Sequence, residues 1–127
     1  MPPTASRLLI VDDDADLADT LAELLTLRGF VTTVALDAEE AVHLFTRFRP
    51  QAALIDISLP SMSGHELARH LRAIGADVKL IALSGYGRPE DAQASLASGF
   101  DLHLVKPVLP DVIVAHLRGV AGEPSDA

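Results

Sequence analysis

Short runs of apolar residues alternate along the chain with segments in which apolar residues recur every three or four positions. A continuous apolar run is typical of a strand buried on both faces, and the three-to-four spacing is typical of an amphipathic helix. The first pattern predicts five strands: Leu8 to Val11, Phe30 to Leu36, Ala52 to Ile57, Val78 to Leu83, and Leu102 to Val105.

Five helices are predicted after these strands, most of them with a recognisable start or stop signal. Asp37 with Glu40, and Ser63 with Glu66, have the spacing of a capping box, and Asp14 is expected to cap the first helix. The predicted helices run from Leu17 to Leu25 with Gly29 as the stop, from Asp37 through Phe48, from Ser63 to Ile74, from Pro89 to a stop at Gly99, and from Asp111 to Leu117.

The alternation of strand and helix predicts an α/β fold with a (βα)5 pattern. Parallel strands need long crossover connections, so helices are expected on both faces of a parallel, doubly wound sheet. In such sheets ligands bind beyond the carboxyl ends of the strands. The residues at those ends are therefore the first candidates for chemistry.

Length and composition fit one domain with one core. The chain has 127 residues, and 49% of them are hydrophobic. We expect a single domain over 1–127, with a core from about 7 to 119 and loose termini at 1–6 and 121–127. No internal repeat or low-complexity tract divides it.

Charge and composition exclude several classes of function. The chain has no cysteine, so disulfides and thiol nucleophiles are excluded. The net charge of −8, with scattered basic residues, argues against a nucleic-acid surface. No apolar run approaches the roughly 20 residues needed to span a bilayer, and no signal peptide is apparent. We expect a cytoplasmic protein that binds neither nucleic acid nor membrane.

Polar residues end four of the largely apolar strands. Asp12 and Asp13 follow the first strand, and Asp56, Ser84 and Lys106 end the third, fourth and fifth. Each alone has a simpler explanation, as a loop acid, a turn or a strand terminator. Together on one rim they predict a site, because clustered carboxylates need a cation and Mg²⁺ suits carboxylate and carbonyl oxygens.

At these residues the chain resembles the receiver domains of response regulators, from about Arg7 to Gly119. The similar segments are Leu9-Ile10-Val11-Asp12-Asp13-Asp14, Leu54-Ile55-Asp56-Ile57-Ser58-Leu59-Pro60-Ser61-Met62-Ser63-Gly64, Ala82-Leu83-Ser84-Gly85 and Leu104-Val105-Lys106-Pro107. Four motifs in this order form a specific signal. The resemblance implies a flavodoxin-like sheet with strand order 2-1-3-4-5, and a cis Lys106-Pro107 peptide bond.

The resemblance also implies a phosphorelay function. Asp56 would accept a phosphoryl group from a histidine kinase or a histidine phosphotransfer domain. Mg²⁺ would be held by Asp13, Asp12, Asp56 and the backbone carbonyl of Ser58. Lys106 would pair with Asp56 and then with the phosphoryl group, and Ser84 would donate a hydrogen bond to it. The domain would catalyse only its own phosphorylation and dephosphorylation, so we expect no separate enzymatic activity.

One position departs from the family pattern. An aromatic residue usually stands three positions before the lysine, and here that residue is His103. We hypothesise that His103 samples inward and outward rotamers biased by the phosphoryl group; the alternative is an edge-strand histidine with no part in signalling. Ser58 and Tyr86 are expected to influence how fast water reaches the phosphoryl group. The remaining histidines are expected on solvated helix faces: His43, His65, His70 and His116.

Two other functions are compatible with parts of the pattern. A haloacid-dehalogenase-type phosphatase also uses a strand-end aspartate, but Ser58 stands where a second aspartate is typical. A receiver that has lost phosphorylation and only binds proteins would not need the full acidic, hydroxyl and lysine set. The segments from Gly85 to Asp91 and from Gly99 to Pro107 also resemble receivers attached to hybrid histidine kinases.

Overall fold

The computed structural model describes residues 6–60, 62–75, 77–85 and 89–117. Within them, five strands alternate with five helices, as the hydrophobic pattern predicts. The strands are β1 (Arg7–Val11), β2 (Val31–Ala35), β3 (Ala52–Asp56), β4 (Lys79–Ser84) and β5 (Leu102–Val105). The helices are α1 (Ala15–Thr26), α2 (Ala38–Phe48), α3 (Gly64–Ile74), α4 (Pro89–Ala97) and α5 (Pro110–Leu117).

The five strands form one parallel sheet in the order β2-β1-β3-β4-β5. This confirms the predicted fold class and strand order. The register places Val11 opposite Ile55, and Ser84 opposite Val105. The polar residues that end these strands therefore lie along the same edge of the sheet.

Alternate residues of each strand face different helices. On one face, residues such as Leu9 and Ile55 pack with α2 and α3; on the other, residues such as Ile10 and Leu54 pack with α1 and α5. Leu102 and Leu104 of β5 join the second cluster. The position between them, His103, therefore faces the side of the sheet that α3 and α4 cover. Both faces of the central strands are buried, which explains their continuous apolar runs.

The predicted helix starts are confirmed in detail. The side chains of Asp14, Asp37 and Ser63 cap α1, α2 and α3, each accepting a hydrogen bond from the backbone N–H three residues later. Gly29 and Gly99 have φ angles of 96° and 105°, a region that favours glycine, just past the ends of α1 and α4. Boundaries differ from the sequence prediction by a residue or two at several ends, since helix and strand ends depend on the neighbouring elements.

The expectation of a loose N-terminus is wrong for Ser6. This residue is buried, and its carbonyl oxygen accepts a hydrogen bond from the Val31 N–H at 2.9 Å. The pairing of β1 with β2 thus continues one residue before β1. The predictions for 1–5 and for 121–127 lie outside the described residues. No helix in the described part of the chain combines the length and apolar character that crossing a bilayer requires.

Candidate phosphoacceptor site

The end of β1 supplies the first two carboxylates of the site. Asp12 directly follows β1, and its backbone N–H donates to the Ala35 carbonyl at 3.1 Å, which continues the β1–β2 pairing. Its Oδ1 accepts from the N–H of Asp14 at 3.0 Å. Asp12 is 4% exposed, whereas Asp13 is exposed. Backbone hydrogen bonds thus hold Asp12 in place, whereas Asp13 lies on the solvent-exposed side of the site.

Asp56 ends β3 and is held from two sides. Its Oδ1 accepts from the Ser58 N–H at 2.8 Å, and its Oδ2 accepts from the Lys106 ammonium at 3.0 Å. The residue is 7% exposed, although it carries a carboxylate. Two donors from different segments therefore hold both oxygens of this side chain in defined positions.

Lys106 contacts two carboxylates, one directly after β1 and one at the end of β3. Its Nζ lies 3.0 Å from Asp56 Oδ2 and also 3.0 Å from Asp12 Oδ2. The contact with Asp56 agrees with the expected pairing; the contact with Asp12 was not predicted. Burial lowers the pKa of Lys106, but the hydrogen bonds and charges of Asp12 and Asp56 outweigh burial, so that the net shift is upward. The ammonium group is therefore firmly protonated at neutral pH.

Asp12, Asp13 and Asp56 form a cluster of carboxylates that could hold a cation. Each offers one oxygen, and these oxygens all lie within 4.8 Å of one another. Three carboxylates face one ammonium group in this site, so its net charge stays negative. Hard oxygen donors in this number suit Mg²⁺, which binds through a few carboxylates and keeps several waters. The donor set therefore fits a divalent cation.

Ser84 and Lys106 meet through the backbone at the same edge. The Lys106 N–H donates to the Ser84 carbonyl at 2.7 Å, and Ser84 is 1% exposed at the end of β4. The Lys106-Pro107 peptide bond is cis, as the resemblance implies. A Cβ built on Gly85 would meet no atom of the described residues within 4 Å, so these residues leave the space beside Gly85 open. Tyr86 lies outside the described residues.

His103 contacts α4 and is not an isolated residue at an exposed edge of the sheet. Its Nδ1 lies 2.7 Å from the Ser95 hydroxyl of α4, and its Nε2 is buried without a hydrogen-bond partner among the described residues. The hypothesis of two rotamers stays a prediction.

His65 contradicts the expectation of a solvated face. It is half-buried, its Nε2 lies 3.2 Å from the same Ser95 hydroxyl, and its ring packs edge-on against Phe100. The sequence gives little sign of this contact, because it depends on how α3 and α4 pack. His43 and His70 are exposed as expected, while His116 is half-buried.

With this geometry established, comparison with known proteins identifies the family. The model of the response regulator receiver domain matches residues 8–118. The chain therefore belongs to the family of response regulator receiver domains, and it is a receiver domain of a two-component response regulator. A haloacid-dehalogenase-type phosphatase is accordingly set aside.

Two related sequences illustrate the similarity. An uncharacterised 14.6 kDa protein in the sodA1 3' region of Leptolyngbya boryana is 43% identical over 105 residues, which is 81% of this chain and 80% of that protein. The transcriptional regulatory protein PrrA of Mycobacterium tuberculosis is 37% identical over 117 residues, 92% of this chain and 50% of PrrA. The chain thus spans about half the length of PrrA.

Solved structures show the same fold. The crystal structure of a CheY-like response regulator receiver domain protein from Methanospirillum hungatei matches with a TM-score of 0.85 and 31% identity, covering 91% of this chain and 92% of that one. A response regulator protein from Burkholderia pseudomallei, crystallised with a phosphorylated aspartic acid, a calcium ion and citrate, matches with a TM-score of 0.84 and 29% identity. That match covers 90% of this chain and 67% of that one.

Proposed function

We propose that this receiver domain accepts a phosphoryl group on Asp56 from a phosphohistidine donor, in a reaction that depends on Mg²⁺. The observation that carries the proposal is the convergence of Asp12, Asp13, Asp56 and Lys106 at one edge of the sheet. In the transfer, the phosphorus–nitrogen bond of the donor breaks and a bond forms between phosphorus and a carboxylate oxygen of Asp56. The histidine of the donor leaves with the electron pair and is protonated by water.

Asp56 suits the role of nucleophile because two donors fix the position of its carboxylate. The Ser58 N–H and the Lys106 ammonium hold its two oxygens, so little reorganisation is needed before attack. Lys106 moves from pairing with the carboxylate to pairing with a phosphoryl oxygen. Phosphoryl transfer depends mainly on such alignment and on neutralising charge on the oxygens.

The carboxylate cluster of Asp12, Asp13 and Asp56 is the reason for proposing a divalent cation. Asp13, Asp12 and Asp56 would hold Mg²⁺ together with the backbone carbonyl of Ser58, and the ion would neutralise charge on the phosphoryl oxygens. The related protein from Burkholderia pseudomallei contains a calcium ion and a phosphorylated aspartic acid, which is consistent with this assignment. Ser84 would donate a hydrogen bond to the phosphoryl group, and the open space at Gly85 leaves room for the incoming donor.

Partners follow from the family. The phosphodonor would be a histidine kinase or a histidine phosphotransfer domain. An apolar groove beside Asp12 and Lys106 would give this donor protein a docking surface. This groove, of about 400 Å³, is lined by side chains of α1 and of the segment after Lys106: Leu17, Ala18, Leu21, Leu24, Pro107, Val108 and Pro110. Access to the site from this side fits a bulky protein donor.

The output surface would be formed by α4, β5 and α5. Large apolar residues on it are exposed: Leu96, Val105, Leu109 and Val112. Phosphorylation would shift the population of two conformations of this surface, and a coupling of about 1–3 kcal/mol would suffice to control a partner. We place this activity in the cytoplasm and propose no turnover of other substrates. Attachment to a hybrid kinase stays a prediction.

Small-molecule phosphorylation provides the direct test. The chain is incubated with acetyl phosphate and Mg²⁺, and its intact mass is measured. We expect a gain of one phosphoryl group that disappears in Asp56→Asn and on chelation of the metal with EDTA. Asp19→Asn is a matched control, because Asp19 is an exposed acid of α1 outside the carboxylate cluster, and it should still be modified. An unmodified wild type, or equal modification of Asp56→Asn, would contradict the proposal and favour a receiver that only binds proteins.

A further inference from the structure

Three polar side chains from three elements meet between the sheet and its helices: His65 of α3, Ser95 of α4 and His103 of β5. Ser95 is fully buried, and its hydroxyl lies 3.2 Å from His65 Nε2 and 2.7 Å from His103 Nδ1. This His65–Ser95–His103 cluster shares no residue with the carboxylate site. It connects α4 to both α3 and β5 through a single oxygen atom.

The hydroxyl can satisfy both rings only in a particular protonation state. A serine hydroxyl has one proton, so it can donate to one ring and must accept from the other. Two neutral imidazoles meet this requirement, because each presents one N–H and one bare nitrogen. If His103 carries its proton on Nδ1, that N–H donates to Ser95, which then donates to His65. The bare Nε2 of His103, which is buried, then has no hydrogen-bond partner among the described residues.

A second proton on either ring disturbs this arrangement. On His103 it would go to Nε2, which is buried and has no hydrogen-bond partner among the described residues, so a charged N–H would be left unsatisfied. On His65 it would turn the nitrogen facing Ser95 from an acceptor into a donor. The hydroxyl would then receive two donors and lose its own acceptor.

The surroundings of His65 mostly oppose its protonation. Burial lowers the pKa of His65, and the charges of Arg69 on α3 and of His103 on β5 lower it further. Asp91 on α4 acts in the opposite direction. Arg69 itself is fixed nearby, because its guanidinium donates to the Ser98 hydroxyl of α4 at 3.2 Å.

We propose that the His65–Ser95–His103 cluster is a proton-sensitive contact that fixes α4 against α3 and β5 when both rings are neutral and loosens α4 when His65 takes up a proton. The direction follows from linkage. A histidine whose pKa is lower in the folded state stabilises the fold above its ordinary value of 6.5, and this stability is lost as the pH falls below that value and through the lowered pKa of the folded state. The effect needs no phosphorylation, so it is independent of the proposed function.

Amide hydrogen exchange measured by NMR tests the proposal on the whole chain without a phosphodonor. After correction for intrinsic exchange, the opening equilibrium of α4 amides should rise between pH 7.5 and pH 5.5, by up to about tenfold per pH unit for one proton. Amides of β1 and α1 should change less. Equal α4 protection at both pH values would overturn the proposal.

Variants separate the cluster from general acid effects. His65→Gln with His103→Gln should abolish the pH dependence, because glutamine stays neutral, whereas His70→Gln removes an exposed histidine of the same helix and should behave as wild type. A pH dependence that persists in the double variant would refute the mechanism. If the double variant does not fold, ring titration in the wild type decides. The α4 amide shifts must then follow the same titration curve as the His65 ring, and different midpoints would refute the proposal.

Discussion

Lys106 joins Asp12 and Asp56, two acids that come from different strands and lie 44 residues apart in sequence. Both are nearly buried, with side chains only 6% and 10% exposed, so water screens their charges poorly. The raised pKa of Lys106 means that folding strengthens proton binding. The ammonium therefore stabilises the fold at neutral pH, and this contribution is lost only in strongly alkaline solution as the pH rises through the raised pKa.

Without the Lys106 ammonium, the carboxylates of Asp12 and Asp56 should repel each other. We expect Lys106→Met to lower the free energy of unfolding at pH 7 by about 1–3 kcal/mol, because breaking a partly buried ion pair leaves uncompensated charge. In the Asp12→Asn background this deficit should be smaller, since one of the two carboxylate charges is then absent and less repulsion remains. Urea denaturation of the single and double variants at pH 7 measures the difference.

Lys79→Met is the control for this change. Lys79 is the other lysine of the chain, and its ammonium donates to the backbone carbonyl of His116. Its replacement removes a half-buried lysine next to a neutral acceptor, so any deficit should be the same in the wild-type and Asp12→Asn backgrounds. A Lys106→Met deficit that is also the same in both backgrounds would show that charge repulsion is not its cause.

Gly64 marks a close approach that no side chain can occupy. A Cβ built there would lie 2.5 Å from Ile57 Cα and 2.9 Å from the Asp56 carbonyl oxygen. We expect Gly64→Ala to destabilise the domain by about 1–3 kcal/mol, since backbone atoms must move to admit the methyl group. It should also slow phosphorylation, because the loop after Asp56 is the part that shifts. Thermal unfolding and the acetyl phosphate assay measure the two effects.

Gly85→Ala is the matched substitution at the same edge. A Cβ there meets no atom of the described part of the chain within 4 Å, so thermal stability should stay close to that of the wild type. Equal destabilisation by both substitutions would mean that the contact at Gly64 is not the cause.

At the scale of elements, Arg72 links three parts of the chain. It lies in the last turn of α3 and donates to the carbonyls of Val78 and Gly99 and to the Asp101 carboxylate. Asp101 also accepts from the Leu80 N–H at 2.9 Å. One guanidinium thus connects α3 to the segment before β4 and to the turn between α4 and β5.

Arg72→Gln should loosen this connection. We expect a loss of about 1–3 kcal/mol in the free energy of unfolding, because a glutamine is too short to satisfy all of these acceptors. Arg47→Gln, on an exposed position of α2 beside His43, should cost less than about 0.5 kcal/mol. Chemical denaturation of both variants checks the difference, and comparable losses would argue against the linking function of Arg72.

At the scale of the whole molecule, most of the fold could be predicted from the sequence because its causes are local and periodic. Apolar runs identify buried parallel strands, and caps such as Asp37 and Ser63 identify helix starts. The common edge of Asp12, Asp56 and Lys106 followed from strand direction alone. These features need no knowledge of side-chain packing between distant segments.

The contacts that sequence reasoning missed depend on packing between elements. Nothing near Arg72 in sequence indicates that Gly99 and Asp101, in the turn between α4 and β5, would be among its acceptors. His65 was assigned to a solvated face, because its contact with Ser95 arises only when α3 and α4 lie side by side. The bond from Lys106 to Asp12 likewise needed the actual side-chain positions.

Metal binding should stabilise the whole domain. A cation that binds only the folded state raises stability by mass action, by about 1.4 kcal/mol at a tenfold excess over Kd, or about 4–6 °C in Tm for a domain of this size. We therefore expect the melting temperature to rise with Mg²⁺ concentration. Differential scanning calorimetry with Mg²⁺, with EDTA, and with KCl of equal ionic strength measures this rise.

Two neighbouring acids distinguish binding at the site from general screening of a protein with a net charge of −8. Asp13→Asn replaces one carboxylate of the cluster with a neutral amide, which is a weaker ligand for Mg²⁺, and Asp14→Asn changes the next residue, which caps α1. Asparagine caps helices about as well as aspartate, so the second variant loses the same charge without losing the cap. The Mg²⁺-dependent rise should shrink in Asp13→Asn and persist in Asp14→Asn. If both variants lost it equally, or KCl produced the same rise, the ion would be acting on the overall charge and the carboxylate cluster would not be its binding site.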